Sequence, residues 1–143
     1  MRKTTLSVLV LIAASALAAG ATQALASKRA TRSQTSTLTR AVRSTPVAGV
    51  NRVPAKRYAV TNVRISTVSP AWAMASLTPT RAGRNNFQPA KALAVKLSGT
   101  GRWVVVDVGS AEVGCGIAPN AVLADLLGLR SGESPCPPGE GIS

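Results

Sequence analysis

Residues 103–129 read "WVVVDVGSAEVGCGIAPNAVLADLLGL", and they hold the side chains most able to do chemistry in this chain. Asp107 and Glu112 stand five residues apart. Paired carboxylates across a cleft hydrolyse glycosides, one as acid and the other as base or nucleophile. Cys115 lies just before a predicted helix, whose N-terminus would favour the thiolate and so a nucleophile. Against that reading, no C-x-x-C motif adjoins it and the chain contains no histidine to act as base.

The missing histidine excludes Ser-His-Asp and Cys-His catalysis outright. It also excludes His-containing zinc sites, and two cysteines alone cannot build a four-cysteine site. Gly109, Gly114 and Gly116 form neither a G-x-G-x-x-G fingerprint nor a P-loop, since no Lys-Ser/Thr pair follows. Their expected role is permissive backbone geometry where a strand crosses to a helix. No metal and no cofactor is expected.

The positions of these residues depend on the elements around them. "YAVTNVRISTV" is rich in β-branched residues, with Val63 and Ile65 alternating against Asn62 and Arg64, and predicts a strand. Ser69 and Pro70 make a turn, and "AWAMASLTP" predicts a second strand pairing with the first as a hairpin. Trp72 and Met74 share one of its faces; Ala73, Ala75 and Leu77 share the other. "TPTRAGRNNFQP" reads as a loop. "KALAVKLS" predicts a third strand with Leu93, Val95 and Leu97 on one face, and "RWVVVDVG" follows the Gly99–Gly101 turn as a fourth. Strict alternation in that last strand groups Trp103, Val105 and Asp107 on one face. With Trp103 turned to the core, Asp107 falls at the rim and needs a partner, Arg64 or Arg102; with Val104, Val106 and Val108 turned inward instead, Trp103 lies on the surface as a contact residue. A closing helix has Pro119 at its first position, a stripe of Val122, Leu123, Leu126 and Leu127, and Gly128 just past its end.

The ends of the chain speak to location. Arg2 and Lys3 precede an apolar run from Leu6 to Gly20, and Ala24-Leu25-Ala26 supplies a small-x-small cleavage pattern. Residues 1–26 therefore read as a signal peptide cut between Ala26 and Ser27; an uncleaved anchor is the rival reading, and no later segment has transmembrane length. In an exported chain two cysteines read first as one disulfide, Cys115 to Cys136, closing a loop around the last helix.

Charge is segregated. Residues 27–64 carry nine Lys or Arg and no acid, whereas residues 103–143 hold all five carboxylates of the chain. The polar start "SKRATRSQTST" predicts a disordered arm. A short helix follows near "TSTLTRAVRSTP", with Leu38 and Val42 spaced i, i+4 and Ser36 or Thr37 as cap. Residues 27–57 are thus expected to be a basic, largely disordered arm, with Lys28, Arg29, Arg32, Lys56 and Arg57 as candidate contacts for an anionic partner. Nucleic acid is the weakest such partner, because the basic segments lack interleaved aromatics and any known reading motif.

The strings "RISTVSPAWAMASLTP" and "GRWVVVDVGSAEVGCGIAPNAVLADLLGL", with a second cysteine soon after, resemble small exported proteins common in actinobacteria. The resemblance spans residues 60–136 and rests on Trp72, Trp103, Gly109, Cys115, Pro119 and Cys136. It implies no activity. It does imply that Cys115 and Cys136 are a pair.

These readings give an expected α+β fold: an antiparallel meander of about four strands, a short N-terminal helix, a C-terminal helix, and one disulfide. Such a helix and curved meander would look like a cystatin or NTF2-like cone, a likeness of fold alone. Residues 58–136 form the domain and 137–143 a flexible tail. The expected function is a non-enzymatic secreted or envelope binding module, acting on an anionic cell-wall polymer, a lipid surface or another envelope protein. The alternative is a small hydrolase using Asp107 and Glu112.

Overall fold

The computed structural model describes residues 27–46 and 53–139. The signal-peptide reading of residues 1–26, part of the connection before Tyr58, and residues 140–143 of the tail lie outside the described residues. The fold is α+β. Five strands, β1 (Lys28–Arg29), β2 (Tyr58–Ile65), β3 (Trp72–Pro79), β4 (Ala90–Lys96) and β5 (Trp103–Gly109), form one antiparallel sheet in sequential order. Helix α1 (Arg32–Ser44) lies between β1 and β2 in the chain, and α2 (Asn120–Leu127) follows β5. The four predicted strands are all present. The fifth, β1, comes from the stretch expected to be an arm.

That stretch is the principal correction. Residues 27–37, expected to be disordered, form β1 and the first turns of α1. The cap is Thr31, not Ser36 or Thr37: its Oγ1 accepts the Gln34 N–H at 3.3 Å, and Gln34 Oε1 accepts the Thr31 N–H at 2.9 Å. This reciprocal pair satisfies donors that a helix start leaves open, and lets two polar turns precede the apolar stripe. Leu38, Ala41 and Val42 then bury against the sheet. Ser27 docks as well, with Arg64 Nε donating to its Oγ at 2.5 Å and Arg64 Nη2 to its carbonyl at 3.0 Å.

The sheet is covered on both faces. Under α1, Ala73, Ala75, Ala92 and Ala94 form a floor of small side chains at the centre of β3 and β4. Small residues there let the helix approach, and Leu38, Val42, Leu77 and Trp103 fill the space between. On the opposite face Met74 and Leu93 meet Val122, Leu123 and Leu126 of α2, together with Val113, Ala118 and Cys136. The alternation predicted for β3 is thus observed, each face feeding a different helix. On β4, α2 reaches only Leu93; Val95 is half-buried and Leu97 exposed.

Two bulges re-aim the strands. Thr61 pairs with Ser76 but Arg64 with Met74, so β2 carries one extra residue, and Asn62 there has a φ of 45°. The bulge brings Val60 and Val63 to the same face, three residues apart. In β5, Leu93 pairs with Asp107 and Ala94 with Val105, leaving Val106 extra.

Candidate functional site

The β5 bulge decides the orientation of Asp107. Trp103 and Val105 face α1 and are buried, as expected for Trp103. Because Val106 is an extra residue, the alternation breaks and Asp107 turns to the α2 face with its partner Leu93. Its partner is therefore neither Arg64 nor Arg102. Asp107 Oδ2 accepts the backbone N–H of Gly114 at 2.6 Å. Glu112 stands exposed in the following loop with a φ of 52°. Asp107 is a fastener of that loop.

Cys115 is bonded to Cys136, with Cα atoms 5.6 Å apart, so no thiol remains at the start of α2. A structural disulfide belongs with an oxidising compartment. Pro119 occupies the cap position of α2 rather than the first helical one, and Gly128 ends the helix in the left-handed conformation at a φ of 70°. Among the described residues no helix is long and apolar enough to cross a membrane, and no group of three or more His, Cys, Asp or Glu could hold a metal.

The carboxylate that sequence reasoning passed over is Asp125. It is 1% exposed, on the inner side of α2. Its Oδ2 accepts from Ser66 Oγ and the Thr67 N–H, each at 2.7 Å, and its Oδ1 from Thr67 Oγ1 at 3.1 Å. Ser66 Oγ in turn accepts the N–H groups of Val68 and Ser69. Asp125 thus organises the β2–β3 turn through hydroxyl and amide donors. Its place between Leu123 and Leu126 in an apolar helix was the available signal, since a lone acid on a buried stripe must find donors.

The candidate basic residues fall into two groups. Lys28, Arg29 and Arg32 sit at the β1–α1 junction, all exposed. Lys56 and Arg57 sit at the opposite end of β2, about 20 Å away at roughly 3.3 Å per strand residue. There, Arg57 Nη1 donates to the Ala82 carbonyl and Thr80 Oγ1 to the Lys56 carbonyl. No one surface brings all five together.

Two other arginines converge on a cleft. Between the C-terminal half of α1 and the start of β5 lies an open groove of about 420 Å³, lined by Thr37, Arg40, Ala41, Ser44, Arg102 and Trp103, among others. Arg40 and Arg102 are exposed at its walls, while Trp103 closes its floor. Arg43, one turn on, is held elsewhere, donating to the carbonyls of Val53 and Tyr58. Each described carboxylate lies in or beside the α2 layer: Asp107 by its bulge, Glu112 and Glu133 in flanking loops, and Asp125 within the helix. Among the described residues the α1 side therefore presents cations and no carboxylate, a surface suited to an anionic ligand. Comparison with family models, curated proteins and solved structures returns no match for this chain.

Proposed function

We propose that this chain is an exported, non-enzymatic binding module that holds an anionic polymer of the cell envelope. The observation that carries this reading is the groove between α1 and β5, walled by Arg40 and Arg102 on a side of the sheet that bears no carboxylate among the described residues. An extended polyanion laid along it meets fixed positive charge on both walls. The exposed Lys28, Arg29 and Arg32 at the start of α1 extend the same sign of potential. A signal-peptide-like leader in the sequence and the Cys115–Cys136 disulfide support this reading, because cell-wall polyanions occur outside the cytoplasm.

The test is retention on an immobilised polyanion, heparin or purified anionic cell-wall polymer, across a salt series. Retention should weaken with salt as the exposed charges are screened. The double variant Arg40→Glu/Arg102→Glu should elute well before a control of equal charge change, Lys56→Glu/Arg84→Glu. Equal elution of the two variants would assign retention to net charge and reject the groove. Absence of retention near physiological salt would reject the function.

A further inference from the structure

Helix α2 covers only part of its face of the sheet. Its eight residues span about 12 Å and meet Met74 and Leu93. Two residues further toward the β2–β3 and β4–β5 turns, the register aligns Trp72 with Val95 and Val95 with Val104. Val104 stands between Trp103 and Val105, which face α1, so this row lies on the α2 face of three adjacent strands. All three side chains are half-buried, and Val95 and Val104 join neither buried cluster. The next residue on that face is Leu97, whose N–H donates to the Arg102 carbonyl at 2.8 Å, so Leu97 and Arg102 stand opposite each other. The β2–β3 turn adjoins them: the Ala71 carbonyl accepts the Lys96 N–H at 2.7 Å, and the Val68 N–H donates to Asp125 Oδ2 of α2 at 3.4 Å. Val68 is 41% exposed and Leu97 39%, two of the three large apolar residues exposed among those described.

The charged residues at this end are cations. Arg102 is exposed opposite Leu97. Lys96 leaves β4 on the other face, but its Cε lies 3.6 Å from where a Gly101 Cβ would stand, so the side chain runs along the β4–β5 turn at the tip of the sheet. Neither turn, 66–71 or 97–102, contains a carboxylate. Asp125, which reaches the first of them, is buried with both oxygens engaged. A second copy docked here about a twofold axis would set Lys96 and Arg102 near their own counterparts, whereas an anionic lipid surface complements both the apolar row and the cations. The chain also enters the fold at this end. Lys28 pairs with Ile65, the last residue of β2 before the turn, and the apolar run Leu6–Gly20 ends shortly before Ser27 in the sequence. The segment that reads as membrane-crossing during export therefore joins the domain beside the patch.

We infer that this end of the sheet docks on an anionic membrane surface. Val68, Leu97 and the edge of Trp72 enter the headgroup layer, and Lys96 and Arg102 meet lipid phosphates. Apolar insertion and charge act together, as they do for other peripheral lipid-binding surfaces. The inference does not rest on the polymer-binding reading, although Arg102 borders both surfaces.

The protein as recovered in oxidised form from the producing cell is mixed with vesicles of phosphatidylglycerol and phosphatidylcholine, or of phosphatidylcholine alone, and the bound fraction is read by flotation. Binding is expected on the anionic vesicles and should be weak on the neutral ones. Val68→Ser/Leu97→Ser changes two exposed side chains, so the fold is retained, and should weaken binding about tenfold. Its heparin retention should match that of the unmodified chain, which separates this face from the arginine groove. Lys96→Gln should weaken binding to the anionic vesicles about fivefold. Brominated lipid should quench tryptophan emission, and the quenching should be lost in Trp72→Phe, because Trp103 lies under α1. Equal binding to both kinds of vesicle, full-strength binding by Val68→Ser/Leu97→Ser, or quenching that survives in Trp72→Phe would each overturn the assignment. So would a dimer in solution that Val68→Ser/Leu97→Ser dissociates, since the face would then belong to a second copy.

Discussion

Asp107 Oδ2 and the Gly114 amide meet at 2.6 Å, and this bond ties the bulged end of β5 to the loop that carries Cys115. Gly114 has a φ of 90°, and a Cβ on it would lie 2.7 Å from both Leu93 and Leu123. The amide is thus held where only glycine fits, pointing at the one acceptor that satisfies it. Asp107→Ala should cost about 2 kcal/mol in a urea titration, the scale of a part-buried amide left without its charged acceptor. Asp107→Asn, which keeps an acceptor oxygen, should cost distinctly less. Gly114→Ala should cost more than either, because backbone strain and core overlap act together. Near-wild-type stability of Asp107→Ala would return that carboxylate to the list of groups free for chemistry.

Asp125 is the second carboxylate to test, since both of its oxygens accept from the β2–β3 turn. Asp125→Ala strips acceptors from Ser66, Thr67 and Val68 at once and should cost about 3 kcal/mol. Asp125→Asn should cost less, because its amide oxygen in the Oδ2 place keeps the Ser66 and Thr67 donors and its NH2 can donate to the Thr67 hydroxyl. Ser66→Ala should cost less than Asp125→Ala but should still loosen the turn, since Ser66 Oγ also holds the amides of Val68 and Ser69. Amide exchange at residues 67–69 reports the loosening directly. Intact protection there in Asp125→Ala would show that the turn is held by its backbone alone.

Helix α1 is expected to behave as part of the core. Leu38 is 1% exposed over the alanine floor, and Leu38→Ala should cost about 3 kcal/mol. Thr31→Ala breaks the capping box and should cost about 1 kcal/mol. Removing residues 27–46 would uncover Leu77, Val105 and Trp103 together and should abolish cooperative unfolding measured by circular dichroism. A truncated chain that melts like the whole one would show that this segment is dispensable, as an arm would be.

The limits of what the sequence discloses follow from these same residues. The faces of β3, the hairpin, α2 and the cysteine pair were legible because each rests on a simple signal: alternation, Ser-Pro, an apolar stripe closed by glycine, and an even cysteine count. The first turns of α1 were not, because their composition is polar and their stability comes from one reciprocal cap and a distant alanine floor. Asp107 was misplaced for a similar reason. A single extra residue, Val106, inverts the face of everything after it, and no residue type in "WVVVDVG" announces where it falls. The groove was invisible because it joins segments far apart in the chain, Arg40 with Arg102.

The disulfide separates the two layers of the core energetically. Cys115 and Cys136 belong to the cluster under α2, and neither joins the cluster under α1. They close a loop of 21 residues' separation that contains α2 entire. Removing the link by Cys115→Ala/Cys136→Ala should cost about 3 kcal/mol on the chain-entropy scale. The loss should also be uneven. Without the link, α2 keeps only its own eight residues and the Asp125 clasp to hold it on the sheet. Helix α1 keeps its full apolar contact with β2 to β5. Hydrogen exchange of the double variant should therefore show protection falling first in residues 113–136, while Leu38–Val42 and the centres of β3 and β4 stay protected. Uniform loss across both layers would mean that the sheet transmits the disulfide's constraint through to α1, and that the two faces unfold as one unit.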